Sequence, residues 1–149
     1  IAGHAKFRQP LLGGLVGAGA GVGVVFALGF RPSPVMAVET LDEFEAQVRQ
    51  AERPVLVDFY SDRCQPCRKL APTIEKLASE YKDQIDVIKI DVDDAPEIAC
   101  QNGVRAIPTV TLFIDGRPTH SWVGNRPTSH YRTVLDAILT GRMPAPAGR

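Results

Sequence analysis

The chain has 149 residues and a formal net charge of zero, with 17 basic and 17 acidic side chains. This length suits one domain plus an extension, and the balanced charge argues against a nucleic-acid partner or an acidic tail. Three cysteines are too few for a disulfide-stapled scaffold, so any cysteine chemistry is expected to be local.

The N-terminal part contains a long uncharged segment. Residues 11–30, LLGGLVGAGAGVGVVFALGF, follow an extension at residues 1–10 and are just long enough for a transmembrane helix. The alternative is a cleaved signal, because Val35 and Ala37 have the small-residue spacing of a cleavage site. A retained anchor is favoured, because the run exceeds the ~7–15 apolar residues of a usual signal core. Residues 31–39, which begin RPSP, are then a stiff linker.

Glycines recur at helical spacing within this predicted span. Gly13, Gly17 and Gly21 would line one helix face and allow close approach of other transmembrane helices, or they leave the span in membrane lipid without a fixed partner. Lys6 and Arg8 precede the span and only Arg31 follows it closely. This small excess favours an N-terminus on the cytoplasmic, matrix or stromal side.

Residues 40–140 have the hydrophobic periodicity of one globular domain, followed by a tail at residues 141–149. In chain order, the patterns predict helix 41–51, strand 54–60, helix 64–81 kinked at Pro72, strand 85–92, helix 94–102, strand 109–114, strand 119–124 and helix 128–140. Asp115 and Gly116 are expected to form the hairpin turn between the last two strands. Strands alternating with helices and ending in a hairpin indicate an α/β fold with a mixed central sheet flanked by helices.

The stretch SDRCQPCRKLAP places two cysteines at the start of the predicted long helix. The free N–H groups and the dipole at a helix start stabilise a thiolate on Cys64. Cys67 is one turn further on the same face, where a disulfide with Cys64 can form. Cys64 is thus the expected nucleophile and Cys67 the resolving thiol. A zinc site is disfavoured, because only distant Cys100 could add a ligand and no histidine follows at metal-ligand spacing.

A single carboxylate interrupts the apolar run PVLVDFY. Burial of Asp58 in a central strand should raise its pKa and make it a plausible proton acceptor. The alternative from the residues alone is an Asp58 that tolerates partial exposure or pairs with Lys89. Outside this region, Cys100 is expected to be a half-buried structural thiol, His120 and His130 surface residues, and Trp122 a packing residue.

The segments VLVDFYSDRCQPCRKLAP, VRAIPTVTLFIDG and a following VG resemble the thioredoxin family, most closely its bacterial and plastid m-type members. The resemblance covers residues 40–140 and implies the thioredoxin fold, with no cofactor and no metal. It implies a redox pair, a buried acid with a nearby lysine, and a substrate groove beside a cis-proline, at Cys64, Cys67, Asp58, Lys89, Pro66, Ile107, Pro108 and Gly124. The backbone at Ile107 would pair with substrate as an added strand.

The sequence departs from the family pattern around the first cysteine. Where the family usually has Trp-Cys-Gly-Pro-Cys, this chain has Arg63 and Gln65 on either side of Cys64. Loss of the tryptophan removes a flat apolar surface, so Arg63 and Gln65 are expected to alter the choice of substrate. The positive charge of Arg63 either stabilises the thiolate and makes the pair more oxidising, or is solvated with little effect.

The sequence therefore predicts a membrane-anchored thiol–disulfide oxidoreductase that acts on protein dithiols and disulfides. A plastid thylakoid or another energy-transducing membrane is the favoured location, with a bacterial plasma membrane as the alternative. A second hypothesis is a thioredoxin-fold structural subunit of a photosynthetic or respiratory membrane complex, docked by the glycine-rich span.

Overall fold

The computed structural model describes residues 34–142. The elements within them are strand β1 (Val35–Ala37), helix α1 (Leu41–Phe44, continued by a π-helical turn at Glu45–Arg49), strand β2 (Val55–Tyr60), helix α2 (Gln65–Glu80), strand β3 (Asp86–Asp91), helix α3 (Pro96–Gln101), strand β4 (Thr109–Ile114), strand β5 (Arg117–Val123) and helix α4 (Thr128–Leu139). The predicted extension at residues 1–10 and span at residues 11–30 lie outside the described residues. Within residues 34–142, no helix has the length and apolar character needed to cross a bilayer.

The strands form one mixed sheet in the order β1-β3-β2-β4-β5. Strands β1, β3 and β2 pair in parallel, whereas β4 pairs antiparallel with both β2 and β5. Strand β2 lies in the middle, and all but its last residue are buried. This arrangement confirms the predicted α/β fold with a mixed central sheet.

Two apolar clusters cover the two faces of the sheet. Residues from α2 and α4 share one cluster with Leu56 and Val110, and residues from α1 and α3 share the other with Val57 and Phe59. Successive residues of a strand point to opposite faces, which explains why neighbours in β2 belong to different clusters. The helices therefore enclose the central strand that carries Asp58.

The structure differs from the sequence prediction at the N-terminal edge. Val35–Ala37 lies within the predicted linker at residues 31–39, yet it forms strand β1 and pairs with β3. Three residues are too few to display strand periodicity, which is why the pattern was not visible in the sequence. The neighbouring Val38 is 1% exposed and donates its backbone N–H to the carbonyl of Lys89 at 3.1 Å.

Local sequence signals set two boundaries between elements. Thr40 and Glu43 form the predicted capping box at the start of α1. The turn between β4 and β5 uses Gly116 at φ +71°, and a Cβ there would lie 2.0 Å from the carbonyl oxygen of Arg49.

Helix α2 continues through Pro72 to Glu80 as a single helix. Strand β5 begins two residues earlier than its alternating pattern predicts.

Candidate active site

The two cysteines of SDRCQPCRKLAP occupy the first turn of α2. Cys64 is the N-cap residue, with φ −84° and ψ 109°, and its Sγ accepts the backbone N–H of Cys67 at 3.2 Å. Pro66 lies in the first turn, where a missing backbone N–H leaves no helical hydrogen bond unmade. The two sulfurs form a disulfide, with their Cα atoms 5.2 Å apart.

The two sulfurs differ in how far they can be reached from solvent. Cys64 is half-buried, whereas Cys67 is 3% exposed. An incoming sulfur can therefore approach Cys64 more readily than Cys67. This asymmetry is what sequential attack and resolution require, because the second thiol must wait behind the first.

The Ile107–Pro108 peptide bond is cis, as the resemblance implies for Pro108. Phe59 of β2 pairs with Thr109 of β4 in antiparallel register. The C-terminal end of β2 and the segment before β4 therefore lie at the same end of the strands. The loop to Cys64 begins at that end. Ile107 is half-buried and Pro108 is buried.

Gly124 is joined to this segment by a backbone hydrogen bond. Its N–H donates to the carbonyl of Pro108 at 2.8 Å. The glycine has φ +84°, a conformation that side-chain-bearing residues rarely adopt, and no atom lies within 4 Å of the position of a Cβ. The hydrogen bond thus holds the backbone of Gly124 beside Pro108, and the absence of a side chain leaves open space at Gly124.

Asp58 is buried in the middle of the sheet, with only 6% of its surface exposed. Burial raises the pKa of Asp58 to about 7, and the positive charge of Lys89 opposes this rise. Lys89 is the direct neighbour of Asp58 on the adjacent strand β3. Its ammonium nitrogen lies 5.7 Å from the centre of the Tyr60 ring, and its side chain is exposed.

A cleft of about 180 Å³ joins the acid to the resolving cysteine. Asp58, Cys67 and Lys89 all line it, together with Tyr60 from the end of β2. The cleft is partly open to solvent, so a proton released at Cys67 has a short route to the Asp58 carboxylate and from there outward. The arrangement can support proton transfer coupled to thiol attack.

The side chain of Arg63 is directed to an acidic partner. Its guanidinium lies 3.1 Å from a carboxylate oxygen of Asp93, while 83% of the arginine side chain is exposed. Ser61 joins the pair, because its hydroxyl donates to Asp93 at 2.5 Å and accepts the backbone N–H of Arg63 at 3.2 Å. The hydrogen bond from Ser61, and after it the one from Arg63, hold the pKa of Asp93 below its usual value.

Gln65 is also held by a charged neighbour. Arg68 donates to the Gln65 side-chain oxygen and, at 2.7 Å, to the backbone carbonyl of Asp62. Gln65 is exposed. Arg63 and Gln65, the two residues that depart from the family pattern, are therefore both held by contacts with charged side chains.

Other candidates from the sequence lie away from this site. Cys100 is exposed, which corrects the expectation of a half-buried thiol. The reason is that α3 turns Ile98 and Ala99 into the core, which leaves Cys100 on its outer side. Within residues 34–142, no group of histidine, cysteine or acidic side chains is arranged to hold a metal ion.

Trp122 is a packing residue, as predicted. Its ring meets that of Tyr131 edge-on at 5.3 Å between centroids, and His120 stacks on it at 5.9 Å. His130 is exposed and touches the same ring edge-on at 6.0 Å. His120 is half-buried rather than fully on the surface because of this stacking.

Two further residues at the site were missed by the sequence analysis. Asp93 has no sequence signal, because its contact with Arg63 depends on the fold. Tyr131 lies on the apolar face of the last helix with Val134, Leu135, Ile138 and Leu139, and it is the one side chain there that carries a hydroxyl group. A hydroxyl on an otherwise apolar face is the sequence signal that could have marked it, and the structure shows the phenol oxygen to be buried.

Comparison with known proteins gives a consistent result. The family model described as Thioredoxin matches residues 35–137. Thioredoxin 1 of Synechococcus elongatus is 39% identical over 105 residues, which are 70% of this chain and 98% of that protein. Thioredoxin of Alicyclobacillus acidocaldarius is 40% identical over 93 residues, 62% of this chain and 89% of that protein. Thioredoxin M-type, chloroplastic, of Chlamydomonas reinhardtii is 38% identical over 98 residues, 66% of this chain and 70% of that protein.

The matched region is more than half of the chain and includes both bonded cysteines, the buried acid and the cis-proline. It also has the mixed sheet with helices on both faces that the resemblance implies. The chain belongs to the thioredoxin family, whose members are protein thiol–disulfide oxidoreductases.

Proposed function

We propose that the chain reduces disulfides in protein substrates with Cys64 as the attacking thiolate. The Cys64 sulfur attacks one sulfur of the substrate disulfide, which forms a mixed disulfide and releases the other substrate sulfur as a thiolate. Cys67 then attacks the Cys64 sulfur, which frees the substrate as a dithiol and leaves the Cys64–Cys67 disulfide. The reverse sequence oxidises a substrate dithiol.

Asp58 is the proton acceptor for the second step in this proposal. A thiol must lose its proton before it attacks, and Cys67 is buried beside the same cleft as Asp58. A carboxyl whose pKa is raised to about 7 accepts and releases a proton near neutral pH. Lys89, at the mouth of the cleft, moderates the charge on Asp58. The shared cleft of Asp58 and Cys67 is the observation that carries this assignment.

The proposed substrate groove lies beside the cysteines at the cis-proline. A substrate segment would extend along the backbone at Ile107 and Pro108, with the open space at Gly124 next to it. The exposed side chains of Arg63 and Gln65 and the ring of Pro66 would form the other wall. Selectivity among protein substrates is then set by a charged wall rather than by the aromatic one usual in the family.

Location in a plastid, on a membrane, forms a separate part of the proposal. It is supported by relatives named chloroplastic and by the uncharged residues 11–30. Fractionation of the full chain expressed in chloroplasts tests the membrane statement, with a variant lacking residues 11–30 as the control. We expect the full chain to stay in membranes washed with alkaline carbonate and the shortened chain to be released. Release of both would remove the anchor from the account.

Insulin reduction tests the proposed activity. The full chain in mild detergent, supplied with dithiothreitol, should accelerate precipitation of insulin, and Cys64→Ser should abolish the acceleration. Cys100→Ser is the matched control, because it removes an exposed thiol outside the site and should retain full activity. Lack of activity in the wild-type chain would contradict the enzyme and favour the structural-subunit hypothesis, which predicts co-purification with a membrane complex.

A further inference from the structure

Two buried oxygen atoms on the same side of the sheet are left without hydrogen-bond partners among the residues that the structure describes. They are Oδ1 of Asp58 and the phenol oxygen of Tyr131. Buried polar atoms in folded proteins are nearly always hydrogen-bonded, because an unmade bond costs the full desolvation of the group. Two such atoms on one side of the sheet call for a common explanation.

The sheet register brings the two residues to the same level. Asp58 stands opposite Val110 of β4, and Val110 stands opposite Trp122 of β5. The Trp122 ring meets the ring of Tyr131 edge-on at 5.3 Å. Val110 and Tyr131 also belong to the same buried cluster. Tyr131 thus lies over the row of residues that contains Asp58.

The faces of the strand agree with this placement. Leu56, two residues before Asp58, belongs to the cluster that contains Tyr131, whereas Val57 and Phe59 belong to the opposite cluster. Side chains two apart in a strand share a face. Asp58 therefore points to the side of the sheet that α4 covers with Tyr131.

The chemistry of the two groups is complementary. Burial raises the pKa of Tyr131 to about 12, and the negative charge of Asp58 adds to the rise, with Arg126 opposing it. The phenol therefore keeps its proton at all ordinary pH values and can act as a donor. An ionised carboxylate accepts hydrogen bonds only.

We propose that Tyr131 is a positioning residue for Asp58, whose ionised carboxylate it holds by a hydrogen bond through one buried water. This bond would favour the ionised form of the acid and so set how readily Asp58 takes the proton of Cys67. The inference rests on the proposed role of Asp58, but its readout on the carboxyl group does not require disulfide exchange. The other charged or titratable groups that face Asp58 and its cleft are Lys89, Tyr60, Asp62, Arg68, Glu75 and, near Tyr131, Arg126.

The test is the titration of Asp58 in the oxidised full chain in detergent, followed by NMR of 13C-labelled aspartate carboxyl groups. The Asp58 resonance is identified by its loss in Asp58→Asn. Tyr131→Phe removes only the hydroxyl, and we expect it to raise the midpoint of the Asp58 titration by about one pH unit, the equivalent of one hydrogen bond. The pH dependence of mixed-disulfide resolution should move by the same amount.

Tyr81→Phe is the matched control. Tyr81 belongs to the same buried cluster, but its hydroxyl donates to Asp136 at 2.7 Å. Its loss should leave the Asp58 midpoint unchanged. A merely structural Tyr131 predicts an unchanged Asp58 midpoint in Tyr131→Phe, with the same change in unfolding stability at every pH, and that result would overturn the inference.

A second measurement separates this inference from the proposed function. If Asp58 and Tyr131 interact, the stability change caused by Tyr131→Phe should grow as Asp58 ionises and should disappear in the Asp58→Asn background. A pH-independent change that persists in Asp58→Asn contradicts the interaction. An inactive wild-type chain would instead overturn the proposed function and leave the titration result standing.

Discussion

The guanidinium of Arg63 lies 3.1 Å from the carboxylate of Asp93, so the charge in front of Cys64 is already paired. Ser61 holds Asp93 in place from the other side through a hydrogen bond of 2.5 Å. An exposed pair of this kind stabilises a fold only weakly. Its effect on the redox pair depends on charge, because the carboxylate of Asp93 offsets the positive charge of Arg63.

Release of Arg63 from Asp93 should make the cysteine pair slightly more oxidising. We expect Asp93→Asn to raise the reduction potential by about 10–20 mV, since a free positive charge stabilises the Cys64 thiolate and thus the reduced form. Arg63→Trp should lower the potential by a similar amount. Equilibration with glutathione buffers measures both values.

Arg63→Lys is the control for charge, and it should keep the potential close to that of the wild type. The combined variant Arg63→Trp with Asp93→Asn tests whether Asp93 acts through the arginine. We expect the Asp93→Asn effect to be much smaller in that background. Equal potentials in the wild type and all four variants would show that the charge of Arg63 is solvated and without effect, the alternative left open by the sequence.

The buried carboxyl of Asp58 should make the fold less stable as the pH rises toward neutrality. Its pKa is raised from 3.8 to about 7 in the folded chain, so the folded state binds the proton more tightly than the unfolded state does. The stabilisation is fully present below pH 3.8 and is lost as the pH rises to about 7. The wild type should lose roughly 4 kcal/mol across this window relative to Asp58→Asn.

Urea unfolding of the oxidised proteins between pH 4 and 8 measures this difference. Asp58→Asn should be more stable than the wild type at pH 8 and should lack the decline. Asp94→Asn, which removes an exposed carboxylate, is the control and should follow the wild-type pH dependence. Parallel curves for wild type and Asp58→Asn would contradict the burial argument.

Gly124 offers a way to separate backbone strain from substrate binding. Gly124→Ala forces a side chain into φ +84° and should cost about 1 kcal/mol of unfolding free energy. The new methyl group enters the open space beside Pro108, so the KM for insulin should rise while kcat stays close to normal.

Gly141→Ala is matched to this change. Gly141 has φ +68° and also has no atom within 4 Å of a Cβ, but it lies at the far end of α4 from Gly124. It should lose similar stability without a change in KM. A rise in KM for both variants would point to general destabilisation rather than to a groove at Gly124.

The sequence was sufficient for the parts of the fold that repeat a pattern over many residues. The alternation of strands and helices and the helix start at Cys64 follow from local periodicity and capping chemistry, whereas the residues alone left the burial of Asp58 open. Strand β1 was not predictable, because three residues at a sheet edge carry no period and depend on β3 for their hydrogen bonds. The expectation of a half-buried Cys100 is wrong, because no period in so short a helix defines which side faces the core.

The contacts that adjust the site depend on distant parts of the chain. Arg63 and Asp93 are thirty positions apart, and no local rule pairs them before β2 and β3 are aligned. The position of the Tyr131 phenol also depends on the fold. Its ring fits the apolar pattern of a core helix, and only the tertiary structure brings the phenol to the level of Asp58. Local patterns therefore identified the reacting groups, whereas the fold determines their electrostatic surroundings.

Capture of a substrate on Cys67→Ser tests the central assignment most directly. The full-length variant, reduced and then mixed with insulin, cannot resolve the mixed disulfide, so the complex should accumulate on non-reducing gels. Peptide mass spectrometry should find the insulin sulfur bonded to Cys64, and Cys64→Ser should give no complex at that site. Attachment at Cys100 in place of Cys64, or no complex at all, would contradict the account.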